Sequence, residues 1–163
     1  MSVARDIAAT YRGPAAVMRR LAAMGRREDR ALAFLIAFCL LGFVAQLPGL
    51  ARRAHLEGQD LSMLMGGALL GSLFLLPLLL YALAGLSHLA LRLFGWAGTG
   101  FGARLALFWA LLASTPLVLL NGLVAGFLGP GPAQNLVGLA WLAVFLWFWG
   151  AGLRVAPGDE VTP

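Results

Sequence analysis

The chain has 163 residues, of which 61% are hydrophobic and 12% charged, with a mean hydropathy of +0.86. Soluble domains run about 45–50% apolar and about 25% charged, so the composition argues against an ordinary water-soluble enzyme, and the length suits one domain. All twelve basic residues are arginine, against seven acids, and seven of the twelve precede the first long apolar run, where membrane insertion accounts for them without a nucleic-acid partner.

Residues 1–30 form the basic lead. Pro14 suits a first helical turn and Gly25 a helix end. Between them Val17, Met18, Leu21 and Met24 share one face, while Arg19, Arg20, Arg26 and Arg27 cluster towards the other side and the end. The pattern predicts an amphipathic interfacial helix on the cytoplasmic leaflet, drawn to anionic headgroups. The same arginines are the candidate contact surface for a partner. The lead and the apolar run after it exceed the dimensions of a cleaved signal peptide, so a retained first span is expected. Arg19-Arg20 lies too far upstream of that run for a twin-arginine signal.

Four apolar stretches follow, at about 31–50, 61–91, 103–128 and 136–153. Crossing a bilayer core of about 30 Å takes about 20 helical residues. The stretches are apolar on all sides and lack the alternation of barrel strands. The fold class expected is therefore all-α, a polytopic transmembrane helix bundle over 31–153. Residues 51–60 (ARRAHLEGQD), 92–102 and 129–135 (GPGPAQN) read as connections, and 154–163 as a polar tail. The second stretch, thirty-one residues or about 46 Å long, must tilt, bend or project. Pro77 in it and Pro116 in the third are the candidate kinks, with Ser72, Ser114 and Thr115 placed to satisfy freed backbone groups.

Arginine counting sets the orientation. The N-terminus, the 92–102 loop and the tail carry ten arginines on one side, and the other side carries only Arg52 and Arg53. This predicts an inner-membrane protein with both termini cytoplasmic. Trp147, Phe148 and Trp149, near Arg154, and Trp96, in the cytoplasmic loop, fit the headgroup level. Trp96 is a further candidate contact residue.

Little points to chemistry. No acid occurs between Asp60 and Asp159, so a proton relay through the spans has only His88 to use. His88 with Ser72, Ser87 or Ser114 is the one conceivable nucleophilic pair, in no G-x-S-x-G context. Paired aspartates and H-E-x-x-H are absent, and a chain without lysine has no P-loop. His55 beside Glu57 makes a weak metal case. No catalytic residue, metal site or cofactor is assigned. Cys39, the only cysteine, reads as a buried small hydrophobe. The spacings Gly67-x-x-x-Gly71 and Gly122-x-x-x-Gly126 are candidate helix-packing sites, used inside the bundle or for dimerisation. Gln46 and Asn121, both near the outward ends of their spans, are placed to meet.

The order of these pieces resembles a known family. Gly25-Arg26-Arg27-Glu28-Asp29-Arg30 runs straight into ALAFLIAFCLLGFVAQLPGLARRA. PLLLYALAGLSHLALRLFG follows at 77–95, then ARLALFWALLASTPLVLL at 103–120 with Trp109 and Pro116, then a tryptophan-rich final span. Over roughly residues 14–153 this is similar to the bacterial branch of the Yip-domain family, small multi-span membrane proteins named for Ypt-interacting relatives in eukaryotes. The resemblance implies a non-enzymatic integral membrane protein acting through helix packing and partner binding, its partners being the bilayer and another membrane protein or a second copy. The eukaryotic relatives bind small GTPases and one another in vesicle traffic, a role that a bacterium without such traffic does not share. The family is described with five spans where this chain shows four. A break near Pro116 or Asn121 is where a fifth would arise. The alternative is a small transporter or channel subunit, with Pro77, Pro116 and nearby hydroxyls along a path for a neutral or anionic solute.

Overall fold

The computed structural model describes residues 2–156 and is all-helical. Two short helices, α1 (Val3–Thr10) and α2 (Pro14–Ala23), precede α3 (Glu28–Glu57). Then come α4 (Leu61–Leu70), a π-helical turn (Gly71–Leu75), α5 (Leu76–Leu93), α6 (Gly100–Ala113), α7 (Thr115–Phe127) and α8 (Pro132–Val155). Glu28–Glu57, Leu61–Leu93 and Pro132–Val155 are each long and apolar enough to cross a membrane, and α6 with α7 makes a fourth crossing if the bent pair counts as one. What was expected of the tail after Ala156 lies outside the described residues.

The boundaries differ from the polarity pattern where polar residues are good helix formers. Ala51–Glu57 continues α3 for two more turns instead of forming a loop; Ala, Arg, Leu and Glu all favour helix. Likewise α8 begins at Pro132, four residues before the apolar stretch, with proline in the first turn where its missing N–H costs nothing.

Two ends can be defined by contacts. At the proximal end the Arg104 guanidinium pairs with Glu28, and the Trp96 indole N–H donates to Leu153 O at 3.1 Å. At the distal end Arg52 Nη1 donates to Phe127 O at 3.3 Å, and Asn121 Nδ2 donates to Gln134 O at 3.0 Å. So α3 and the α6–α7 pair run one way, and α4–α5 and α8 run back. The centre is α6, with twelve of its fourteen residues buried. Cys39 is fully buried against it.

The two prolines are accommodated differently. Leu61–Leu93 stays one continuous helix, so Pro77 makes no sharp break. The π turn ahead of it lengthens the ladder, Leu76 N–H reaching back to Gly71 O, which relieves the clash a proline makes with the preceding turn. Ser72 takes no part in this; it accepts from Gln46 Nε2 at 2.9 Å. Ahead of Pro116 the chain breaks instead, α6 and α7 meeting at 45°. Leu112 O, which an ordinary residue 116 would have bonded, receives Thr115 Oγ1 at 2.7 Å, and Leu111 O receives Ser114 Oγ at 2.9 Å. Trp141 Nε1 then donates to Ser114 Oγ at 3.0 Å. Thr115→Val is expected to destabilise the fold by about 1 kcal/mol, read by detergent denaturation; an unchanged midpoint would show that Leu112 O has no need of the hydroxyl. The break does not yield a fifth span: pieces of 14 and 13 residues reach only about 20 Å each.

Residues 2–24 depart most from expectation. They form a helical hairpin, α1 with α2, packed on the flank of the bundle, and α1 was not anticipated. Val17, Met18 and Leu21 are buried against the bundle, so protein, not a leaflet, covers the apolar stripe. The physical reason is the flank where α6 and α8 meet: α2 packs mainly on α8 and α1 on α6, so the hairpin covers apolar surface of both. Tyr11 meets Phe148 edge-on, ring centroids 5.0 Å apart, and burial pushes its phenol pKa upward. Trp109 Nε1 donates to Thr10 Oγ1 at 3.2 Å, and Thr10 Oγ1 donates to Asp6 O at 2.7 Å. The Asp6 carboxylate is buried and paired with Arg20.

Candidate functional site

A recessed, partly polar surface of ligand size lies at the distal end, between α3, α7 and the start of α8. It is a half-open cleft of about 570 Å³, within the roughly 300–1,000 Å³ usual for small-molecule sites. Its floor follows from close helix packing. A Cβ on Gly122 would lie 1.9 Å from Ala45 O, and one on Gly126 would lie 2.3 Å from Pro48 Cβ. The two backbones therefore touch, and small side chains at Gly42, Ala45, Gly49 and Ala125 leave the space beside the contact open.

The rim carries the polar groups. Because α3 extends to Glu57, it projects Arg52, Arg53 and Glu57 over the cleft. Arg52 Nη1 also donates to Gly126 O at 3.4 Å, so this residue caps the last carbonyls of α7. Its Nε is buried with no hydrogen-bond partner. Gly129, at φ +79°, turns the chain from α7 towards α8 and lies against the Arg52 guanidinium; the positive φ calls for glycine. Arg53 and Glu57 are exposed, and neither has an ion-pair partner among the described residues. Gln46 and Asn121 line the cleft, yet they do not bond to each other. Gln46 turns to Ser72 and Gly42 O, and Asn121 turns to Gln134 O. Gln134, in the first turn of α8, completes the lining.

The residues singled out in the sequence fall elsewhere or are already engaged. Gly122 and Gly126 seat α7 on α3, whereas at Gly67 and Gly71 no described residue lies within 4 Å of a Cβ position. Pro77 and Pro116 are absent from the cleft wall. Trp96 is half-buried, its N–H donating to Leu153 O and its ring lying close against Gly98. Arg20 is held by Asp6. Arg27 donates to Asp29 at 2.8 Å. Arg19 and Arg26 remain exposed without an acidic partner among the described residues, as do Arg5 and Arg12.

His88 faces the Trp96 ring at 5.9 Å with Nδ1 buried and partnerless. None of the three candidate serines bonds to it. Ser87 donates to Leu83 O, Ser114 to Leu111 O, and Ser72 is bound by Gln46. Among the described residues no three His, Cys, Asp or Glu converge as a metal site. What the distal cleft offers is therefore binding chemistry: two guanidinium groups, a carboxylate and three amides beside a small-residue floor. Comparison with protein-family models, curated proteins and solved structures gives no match to this chain.

Proposed function

We propose that this is a multi-pass protein of a bacterial inner membrane, of Yip-domain type, with both termini cytoplasmic. In this reading it is non-catalytic and works by binding another membrane protein or a second copy of itself. The observation that carries the reading is the Leu61–Leu93 helix. Only 17% of its most apolar window is buried, and Met63, Leu70, Phe74, Leu78, Leu86 and Leu93 stand exposed along it. At about 50 Å it exceeds a bilayer core by several turns. Gly66, Gly67 and Gly71 leave backbone open on the same helix, and in lipid such small residues let helices approach closely. The gathering of ten arginines about the proximal end supports the orientation.

A photo-crosslinker at Phe74 or Leu78 in native membranes is expected to give one discrete protein adduct. Gly67→Leu should lower its yield several-fold while leaving unfolding unchanged. Labelling of lipid alone at both positions would remove the partner-binding reading. The transporter alternative draws support from the distal cleft alone, since neither kink proline lines it.

A further inference from the structure

We propose that the distal cleft binds a phosphate ester carrying a polyol, with Arg53 and Arg52 holding the phosphate and Gln46 and Asn121 holding the hydroxyl or ester oxygens. The inference is independent of the partner reading above. Charge comes first. Two arginines and Glu57 leave one net positive charge at the rim, which matches a phosphodiester monoanion. The C-terminus of α7 adds a partial negative charge, but Arg52 already covers it, and the opening turn of α8 brings a partial positive charge with N–H groups that have no intrahelical partner. Arg52 Nε is buried against Gly129 with no partner, so it is the outer nitrogens of this guanidinium that can face an acceptor oxygen in the cleft. Arg53 is unpaired and exposed on the same rim.

Depth comes second. Gln46 lies seven residues before Arg53 on α3, about 10 Å down the cleft. The site is thus graded: cationic at its mouth, amide-lined one to two turns deeper, and apolar around Val118. That order is the order of groups in a glycerophosphate headgroup followed by its acyl chains. It also accepts the soluble fragment that carries the phosphate and polyol alone. Arginine forks suit phosphate oxygens; Asn121 keeps one amide N–H for a hydroxyl or ester oxygen, and Gln46, whose N–H groups go to Ser72 and Gly42 O, offers its Oε1 to a hydroxyl.

The test uses the purified full chain in a lipid-free detergent, with native mass spectrometry and thermal unfolding as readouts. The probes are phosphatidylglycerol, phosphatidylcholine and free glycerol phosphate. Phosphatidylglycerol retained at least tenfold better than phosphatidylcholine supports a lipid headgroup as occupant, and stabilisation by glycerol phosphate alone supports a soluble one. In either case Arg53→Gln should weaken binding roughly tenfold, the size of one lost charge-assisted hydrogen bond. Arg53 is exposed, so this variant keeps the fold, and Asn121→Leu gives a second, uncharged test expected to lower affinity several-fold. Arg12→Gln, at the proximal hairpin, should change nothing. Equal retention of both lipids with no effect of glycerol phosphate overturns the proposal. So does a loss with Arg12→Gln equal to that with Arg53→Gln, which would mark plain surface charge.

Discussion

Gly122→Ala is expected to destabilise the fold by about 3 kcal/mol, at the upper end of what overpacking usually costs. The new methyl group would sit 1.9 Å from Ala45 O, 2.7 Å from Ala45 C and 3.0 Å from its Cα. All three are backbone atoms of a helix, so no rotamer change relieves the overlap and α7 must back away from α3. Gly126→Ala meets Pro48 Cβ at 2.3 Å and Pro48 C at 2.9 Å, and about 2 kcal/mol is expected. The two sites share one interface, so the double variant should cost less than the sum, because a helix already displaced has room for the second methyl. Gly67→Ala and Gly71→Ala place the same methyl in open space and should stay within about 0.5 kcal/mol of the parent, the added helix propensity if anything favouring the fold. Detergent titration of all four, followed by tryptophan emission, checks the set. A Gly122→Ala midpoint equal to that of Gly67→Ala would mean that α3 and α7 do not meet through these residues. The distal cleft would then lose its floor, and the phosphate-ester site its basis.

That contrast also shows how far one sequence reaches. Two G-x-x-x-G patterns of equal standing have opposite fates. The difference lies in the opposing helix: α3 presents Ala45 and Gly49 at matching heights to Gly122 and Ala125, and none of the described residues lies within 4 Å of a Cβ on Gly67. Gly42, Ala45 and Gly49 make a small-residue stripe on α3, but which helix it meets, some seventy residues away, is a tertiary fact. The apolar runs were legible because length and uniform apolarity hardly depend on context. Their ends were not, since polarity at Arg52, Arg53 and Glu57 says solvent while their helix propensity says helix, and propensity prevailed. The cleft was legible only in fragments. Gln46, Asn121, Arg52 and Arg53 each drew attention, yet their convergence needs the two extra turns of α3 and the left-handed Gly129 turn together. For α1 the signal was short: Val3, Ile7 and Tyr11 repeat every four residues, but eight residues between a polar start and Gly13 form no apolar run.

Met18→Asp is expected to release the N-terminal hairpin while the bundle stays folded. Met18 is 1% exposed and its Cγ lies 3.7 Å from where a Cβ on Gly152 would stand, so a carboxylate there would have neither water nor a cation. Losing the methionine contacts costs about 2–5 kcal/mol, and burying an unpaired charge adds several more. Undocking is the cheaper response, because the hairpin holds to the bundle through few polar links, Thr10 to Trp109 and Arg30 to Leu21 O among them, and can open as a local unit. Trypsin reads the event, since Arg12, Arg19 and Arg20 all lie within it. Cleavage there should accelerate at least about 100-fold, the ratio that roughly 3 kcal/mol of lost docking sets, with cleavage beyond Arg30 following only later. Thr10→Val, which strands the Trp109 N–H, should give about tenfold. An apolar stripe lying on a leaflet would respond otherwise: in lipid-free micelles its arginines would already be open in the parent, and neither variant would change the rate.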